Sequence, residues 1–259
     1  MCGRFTLIAT PDEVRRAFGY AEQPNFPPRW NIAPTQPVAV VRGGRDGRHF
    51  HLMRWGLLPG WVKDTAKFPL LINARSESAA EKPAFRAAMR HRRGLVPASG
   101  FYEWRRVGPD KQAYFIRPRD GGLLAFAALY EYYQDAAGNE IDTGAILTTS
   151  ANALMAPIHD RMPVVIAPAH FDRWFDTDGS EPRHVGDLLV PAPDDLLEAI
   201  PVSSRVNAVR NDDARLIEPL SEPVTVDRAQ EAAPPQRRAE PGGKRAKPAH
   251  ERKRQGELF

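Results

Sequence analysis

Short apolar runs separated by glycine-rich turns constrain this chain most, because runs of that length satisfy their backbone by pairing. Residues 37–42 (PVAVVR) and 49–57 (HFHLMRWGL) face each other across Gly43-Gly44-Arg45-Asp46-Gly47, a hairpin signal. Residues 111–116 and 123–130 flank a second turn at Arg119-Asp120-Gly121-Gly122, and residues 144–149 and 163–166 read as buried strands. Gly3-Arg4-Phe5-Thr6-Leu7 alternates as a strand does. Thr10-Pro11-Asp12-Glu13 opens a helix, with Thr10 as N-cap, Pro11 in the first position and Glu13 completing a capping box. Residues 193–200 read as a helix with Asp194 and Asp195 at its positive end. No regular strand–helix–strand alternation and no internal repeat is present. The expectation is an α+β fold: a single β-rich domain over residues 1–225, with a mixed barrel-like sheet and flanking helices.

Composition excludes several classes. With 42% hydrophobic and 26% charged residues the chain can bury one good core. A lone cysteine rules out an internal disulfide, and no Cys/His cluster has zinc-ligand spacing, so no metal and no cofactor is expected. No signal-peptide pattern and no membrane-length apolar run is found, which points to a cytoplasmic, nucleoid-associated protein. No oligomerisation segment stands out, and a monomer is expected. Residues 226–259, rich in Pro, Gly and charge, read as a disordered basic C-terminal tail.

Charge is unevenly spread. Residues 1–106 hold 18 basic and 8 acidic side chains, residues 107–225 hold 9 and 19, and the tail supplies the net surplus of +4. Such asymmetry means either an anionic partner for the first half or pairing of the halves across one fold.

Four segments put reactive or polar groups where a strand core prefers apolar ones: Cys2-Gly3-Arg4-Phe5, Ile72-Asn73-Ala74-Arg75, Gly100-Phe101-Tyr102-Glu103-Trp104 and Pro157-Ile158-His159-Asp160-Arg161-Met162-Pro163. Cys2 is the only cysteine. Once Met1 is lost it owns both a thiol and a free α-amine. That amine has a reference pKa of roughly 7.7–8.0, so about a quarter is neutral near pH 7.4, against about one lysine in a thousand. An amine that attacks an aldehyde beside a thiol can close a five-membered thiazolidine, which no internal cysteine can do. A terminal cysteine therefore points to carbonyl chemistry or to N-terminal-nucleophile hydrolysis. Glu103, in an aromatic run, is suited to shuttle protons. His159 is a second acid–base candidate, and Asn73 can donate to an oxyanion or hold a sugar hydroxyl. Each of the four is followed two positions later by arginine (Arg4, Arg75, Arg161 and Arg105), the side chain suited to phosphate. Trp55, Trp61 and Trp104 offer aromatic faces on which unpaired bases could stack.

Taken together, MCGRF, RWNIAPTQ, RWGLLPGW, INARSES, EKPAFR, GLVPASGFYEW and HDRMPV closely resemble the SRAP family, the SOS response-associated peptidases, from residue 1 to about 220. The resemblance implies a compact β-rich fold whose Cys2, exposed by loss of Met1, reacts with abasic sites in single-stranded DNA. The product would be a thiazolidine DNA–protein crosslink that shields the lesion. It also implies roles: Cys2 as nucleophile, Asn73 positioning the sugar, and Glu103 with His159 as the acid–base pair. Arg75 and Arg161 would grip flanking phosphates, with Trp104 and the loop at residues 31–36, including Asn31 and Pro34, beside the strand. Arg4 would help draw in the backbone. A cysteine peptidase acting on Met1 or on other proteins, a glutamine-hydrolysing enzyme and a noncatalytic single-strand binder remain the alternatives.

Overall fold

Local signals place the first elements. Thr10 Oγ1 accepts the Glu13 N–H at 3.3 Å while Glu13 Oε2 accepts the Thr10 N–H at 2.7 Å. Such a closed capping box stabilises a helix start by about 1 kcal/mol. Helix α1 (Pro11–Phe18) follows, buries Val14 and Phe18, and ends at Gly19, whose φ of 70° is left-handed. The computed structural model describes residues 2–177 and 181–221. These contain twelve strands: β1 (Phe5–Leu7), β2 (Arg29–Ile32), β3 (Pro37–Gly44), β4 (Gly47–Trp55), β5 (Asn73–Arg75), β6 (Arg93–Ala98), β7 (Gly100–Val107), β8 (Asp110–Pro118), β9 (Leu124–Gln134), β10 (Glu140–Ser150), β11 (Arg161–Pro163) and β12 (Leu197–Val202).

Strands β3 and β4 form the expected hairpin, closed at Gly44 opposite Gly47. In the larger sheet β10, β4, β3, β6 and β9 pair in that order, and β9 pairs back onto β10. Five strands thus close a ring, which removes their exposed edges. The β10–β4 junction is parallel and the other four are antiparallel, so the barrel is mixed. Strands β5 and β11 extend the far end of β10. A second sheet runs β12-β8-β7-β1-β2. The two sheets meet through aromatic edges: Phe5 packs T-shaped on Trp55 and on Phe126, and Phe101 on Phe126, at centroid distances of 5.2, 6.1 and 5.8 Å. The β-rich α+β reading with a barrel-like mixed sheet is the observed architecture.

One expectation needs correction. Residues 193–200 are not a helix: Leu197–Val202 is β12, paired antiparallel along β8 from Leu197↔Pro118 to Val202↔Ala113. Asp194 instead accepts the Ala153 N–H at 2.8 Å. An available sheet edge outweighed a modest helical preference. The turn at residues 119–122 is real, with Gly121 at φ 72°, but its flanking strands do not pair with each other. There the chain leaves the second sheet and enters the barrel, while β8 takes β7 as its hairpin partner. The tail expectation concerns residues 226–259, which lie outside the described residues.

Helices α2 (Ser76–Ala79), α3 (Arg86–His91) and α4 (Phe171–Phe175) are short. A buried cation joins the last two to the barrel. Arg93, 2% exposed, donates from Nε to Trp174 O at 2.7 Å, from Nη1 to Met89 O at 3.2 Å and from Nη2 to Asp176 O. These carbonyls lie at or just beyond the C-terminal turns of α3 and α4, where partial negative charge accumulates. Burial lowers the Arg93 pKa, opposed by Asp176. Arg93→Met is expected to strand three carbonyls and to cost about 3 kcal/mol. A fall in the urea midpoint at unchanged m-value would show it.

Candidate active site

Two sheets deliver the candidate residues to one place. Strand β1 pairs with β7 as Phe5↔Phe101 and Thr6↔Gly100, and the Tyr102 N–H donates to Arg4 O at 3.0 Å. Continuing that register sets Gly3 opposite Glu103, so the chain's start runs alongside this carboxylate. On the barrel side, β5 runs parallel to the second half of β10 (Ile146↔Asn73), and β11 pairs with the opposite edge (Ser150↔Arg161). Asn73 and residues 159–161 therefore flank the end of one strand.

Asn73 joins the sheets. Its Nδ2 donates to Cys2 O at 2.9 Å, and its Oδ1 is buried with no partner among the described residues. Cys2 is fully buried, and its thiol reaches Arg4 O only at 3.9 Å. Burial pushes the thiol pKa up strongly, and the nearby Glu103 adds to the rise. Glu103 is 2% exposed, and burial raises its pKa as well, opposed by the positive charges of the amino terminus and of His159. His159 Nδ1 accepts the Arg161 N–H at 2.9 Å, which leaves Nε2 to carry the hydrogen in the neutral ring. Asp160 Oδ1 lies 2.9 Å from the same Nδ1. Cys2, Asn73, Glu103 and His159 are thus brought together, with an acid whose proton is retained more readily than usual.

The proposed DNA contacts divide. Trp55 is 1% exposed and offers no face to a base, contrary to expectation. It packs against Phe5 and donates from Nε1 to Ile72 O at 2.9 Å, holding the residues beside both Cys2 and Asn73. Asn31 is fully buried: Nδ2 donates to Asn211 O at 2.8 Å and lies 3.2 Å from Val206 O and Ala208 O. Arg4 is likewise turned inward, donating from Nη1 to Asn31 Oδ1 at 2.9 Å and to Val206 O at 2.8 Å. Asn31 corrects the reading as a DNA ligand, because its donor nitrogen is committed to the segment at residues 203–213, whereas Arg4 is half-buried with Nη1 so engaged. Trp61 is 60% exposed and meets Phe68 edge-on at 5.6 Å. Trp104 is half-buried, its Nε1 donating to Asn207 Oδ1 at 2.8 Å. Pro34 is half-buried, Arg75 is exposed, Arg105 is half-buried on β7, and Arg161 is held by Glu77.

Three residues escaped sequence reasoning. Asp212 accepts from Arg29 Nε at 2.6 Å and from the Trp30 and Asn31 N–H groups at 2.5 and 3.0 Å, tying the RWN segment to a loop some 180 positions away. Nothing local marks it. Thr35 holds φ 72°, a strained conformation for a β-branched side chain, in the exposed turn beside Pro34. Glu77 sits inside INARSES, two positions after Arg75, and that spacing could have marked it.

A family model described as SOS response associated peptidase (SRAP) matches residues 1–209. Abasic site processing protein YoqW of Bacillus subtilis is 37% identical over 222 residues, 84% of this chain and 99% of that protein. Abasic site processing protein YedK of Escherichia coli is 32% identical over 231 residues, 85% of this chain and all of that protein. Abasic site processing protein HMCES of Gallus gallus is 29% identical over 264 residues, 85% of this chain and 78% of that protein. A solved protein from Bacteroides thetaiotaomicron shares the fold with a TM-score of 0.76 at 22% identity, covering 85% of this chain and all of that one. A match through residue 209, with relatives above 30% identity over nearly their whole length, makes this chain a member of the SOS response associated peptidase (SRAP) family.

Proposed function

We propose that this protein recognises abasic sites in single-stranded DNA and, after loss of Met1, captures the ring-opened deoxyribose aldehyde as a thiazolidine through Cys2. One observation carries the reading: the start of the chain is held inside an acid–base site, with Asn73 Nδ2 on the Cys2 carbonyl and Glu103 buried alongside. The names of the relatives, abasic site processing proteins, support the substrate.

The chemistry follows from the residues. The neutral Cys2 amine adds to the aldehyde carbon, and Glu103 gives its proton to the carbonyl oxygen as the C–N bond forms. His159 takes the excess proton from nitrogen and returns it to the departing hydroxyl, so that one water leaves and an iminium remains. The Glu103 carboxylate then takes the thiol proton while Sγ adds to the iminium carbon. Both acid–base groups end as they began, and the net change is one water lost. The raised thiol pKa fits this order: sulfur stays protonated until the electrophile exists. Arg75, Arg161, Trp61, Trp104 and the turn at Pro34 are proposed to carry the strand, drawn in by the basic first half of the chain. Among the described residues no helix is long and apolar enough to cross a membrane. A monomer working at the nucleoid is part of the same proposal.

Single-stranded DNA with one abasic site is expected to give a heat-stable conjugate whose mass is protein without Met1 plus oligonucleotide less one water. Cys2→Ala should give none. A conjugate of equal yield from Cys2→Ala, or retention of Met1 in the active protein, would falsify the mechanism. Fragments from peptides or ammonia from glutamine would favour the alternatives instead.

Glu103 also links function to stability. Its folded pKa lies above the ordinary carboxylate value, so the native state binds its proton more tightly than the unfolded chain does. That contribution is complete below the unfolded pKa and is lost as pH rises through the folded one. Glu103→Gln is therefore expected to melt higher than wild type at pH 8, with the difference vanishing near pH 4, while crosslinking slows at least about a hundredfold. Parallel thermal melts and crosslinking time courses read both.

A further inference from the structure

Arg161, one of the two cations assigned above to phosphates, is paired with a carboxylate, and the other, Arg75, lies two positions from that carboxylate in sequence. Glu77, on α2, meets Arg161 fork to fork: Nη1 donates to Oε1 at 2.5 Å and Nη2 to Oε2 at 2.9 Å. Arg161 Nη2 also donates to Thr148 O at 2.5 Å, which seats the guanidinium against β10. The Arg161 hydrogen bonds are the main cause that holds the Glu77 carboxyl below its ordinary pKa, and Arg75 pulls in the same direction. The Arg161 side chain is 15% exposed and that of Glu77 is 54% exposed, so the pair lies at the surface with its carboxylate outward. Two carboxylate oxygens presented to a guanidinium fork repeat the geometry of the two non-bridging oxygens of a phosphodiester. Arg161 is two residues from His159.

We propose that Glu77 is a built-in stand-in for a DNA phosphate: it occupies the Arg161 fork in the unbound protein and must be displaced when the strand binds. This rests on the DNA reading of the site. The device keeps Arg161 oriented on β10 while weakening the grip on strands that carry no lesion. Undamaged strands gain only the exchange of one anion for another, whereas an abasic site adds the covalent step. Binding in wild type therefore releases about one counterion fewer than the phosphate contacts would give, because Glu77 is left needing a cation.

The test uses the full-length chain with Cys2→Ala, so that no crosslink forms, and an unmodified oligodeoxythymidylate titrated at several salt concentrations. Glu77→Gln is expected to bind about two- to fivefold tighter at low salt. Its log–log salt slope should be steeper by about 0.7, the value for one extra single-strand phosphate. Glu77→Asp, which keeps the charge but not the reach, should recover part of the gain. Glu198→Gln, which removes the same charge from the Arg117 pair on β12, should not show it. In an Arg161→Gln background the Glu77→Gln gain should disappear. If Glu77→Gln binds equally or more weakly while Arg161→Gln weakens binding, Glu77 is only a brace for Arg161 and the stand-in role is wrong. If Arg161→Gln changes neither affinity nor slope, the phosphate contact itself fails and the stand-in role fails with it. Thermal melts of each variant separate binding loss from unfolding.

Discussion

The hydrogen bond from Asn73 Nδ2 to the Cys2 carbonyl spans the gap between a closed barrel and the sheet packed against it. Chain ends ordinarily fray, because the terminal residues gain too few contacts to offset their ordering entropy. Here the end is held on both sides, by the β1–β7 ladder and by a side chain from β5. Trp55 reinforces the arrangement from below, packing on Phe5 and bonding the carbonyl just before Asn73. The proposed nucleophile at a terminus is useful only if it is positioned, and these contacts hold Cys2 in place.

Burial then sets the chemistry. Cys2 and Glu103 lie in the same water-poor site: desolvation disfavours the ionised form of both, and Glu103 adds to the rise at the Cys2 thiol. Raised thiol and carboxyl pKa values agree with the proposed order, in which an amine attacks first and protons are handed on in sequence.

Around that centre, polar side chains serve placement more than recognition. Asp212, Asn31 and Arg4 form a connected set that binds β1 and β2 to the segment at residues 203–213. Arg4 and Asn31 are polar residues within MCGRF and RWNIAPTQ, and on sequence they look like ligands for a strand. Their donors point inward because long-range carbonyls reach them first. Trp55 changed role for a similar reason: the residue's register on β4, not its type, set it against Phe5 of the second sheet, out of reach of a base.

Local chemistry written along the chain determined the capping box at Thr10, the glycine hairpin at residues 43–47, the count-heavy use of strands, and the four residues that can do carbonyl chemistry. Those signals depend on neighbours within a few positions, so they are legible without a fold. Only the tertiary structure decided that β9 returns to β10 to close the ring, and that residues 197–202 complete a sheet edge instead of a helix. It alone decided which of the arginines and tryptophans face solvent and which are spent inside. Partners from 27 to 203 positions away satisfy Arg4, and no local pattern encodes a contact of that range. Residue type sets what a side chain can do, while burial and distant hydrogen-bond partners determine what is left for it to do.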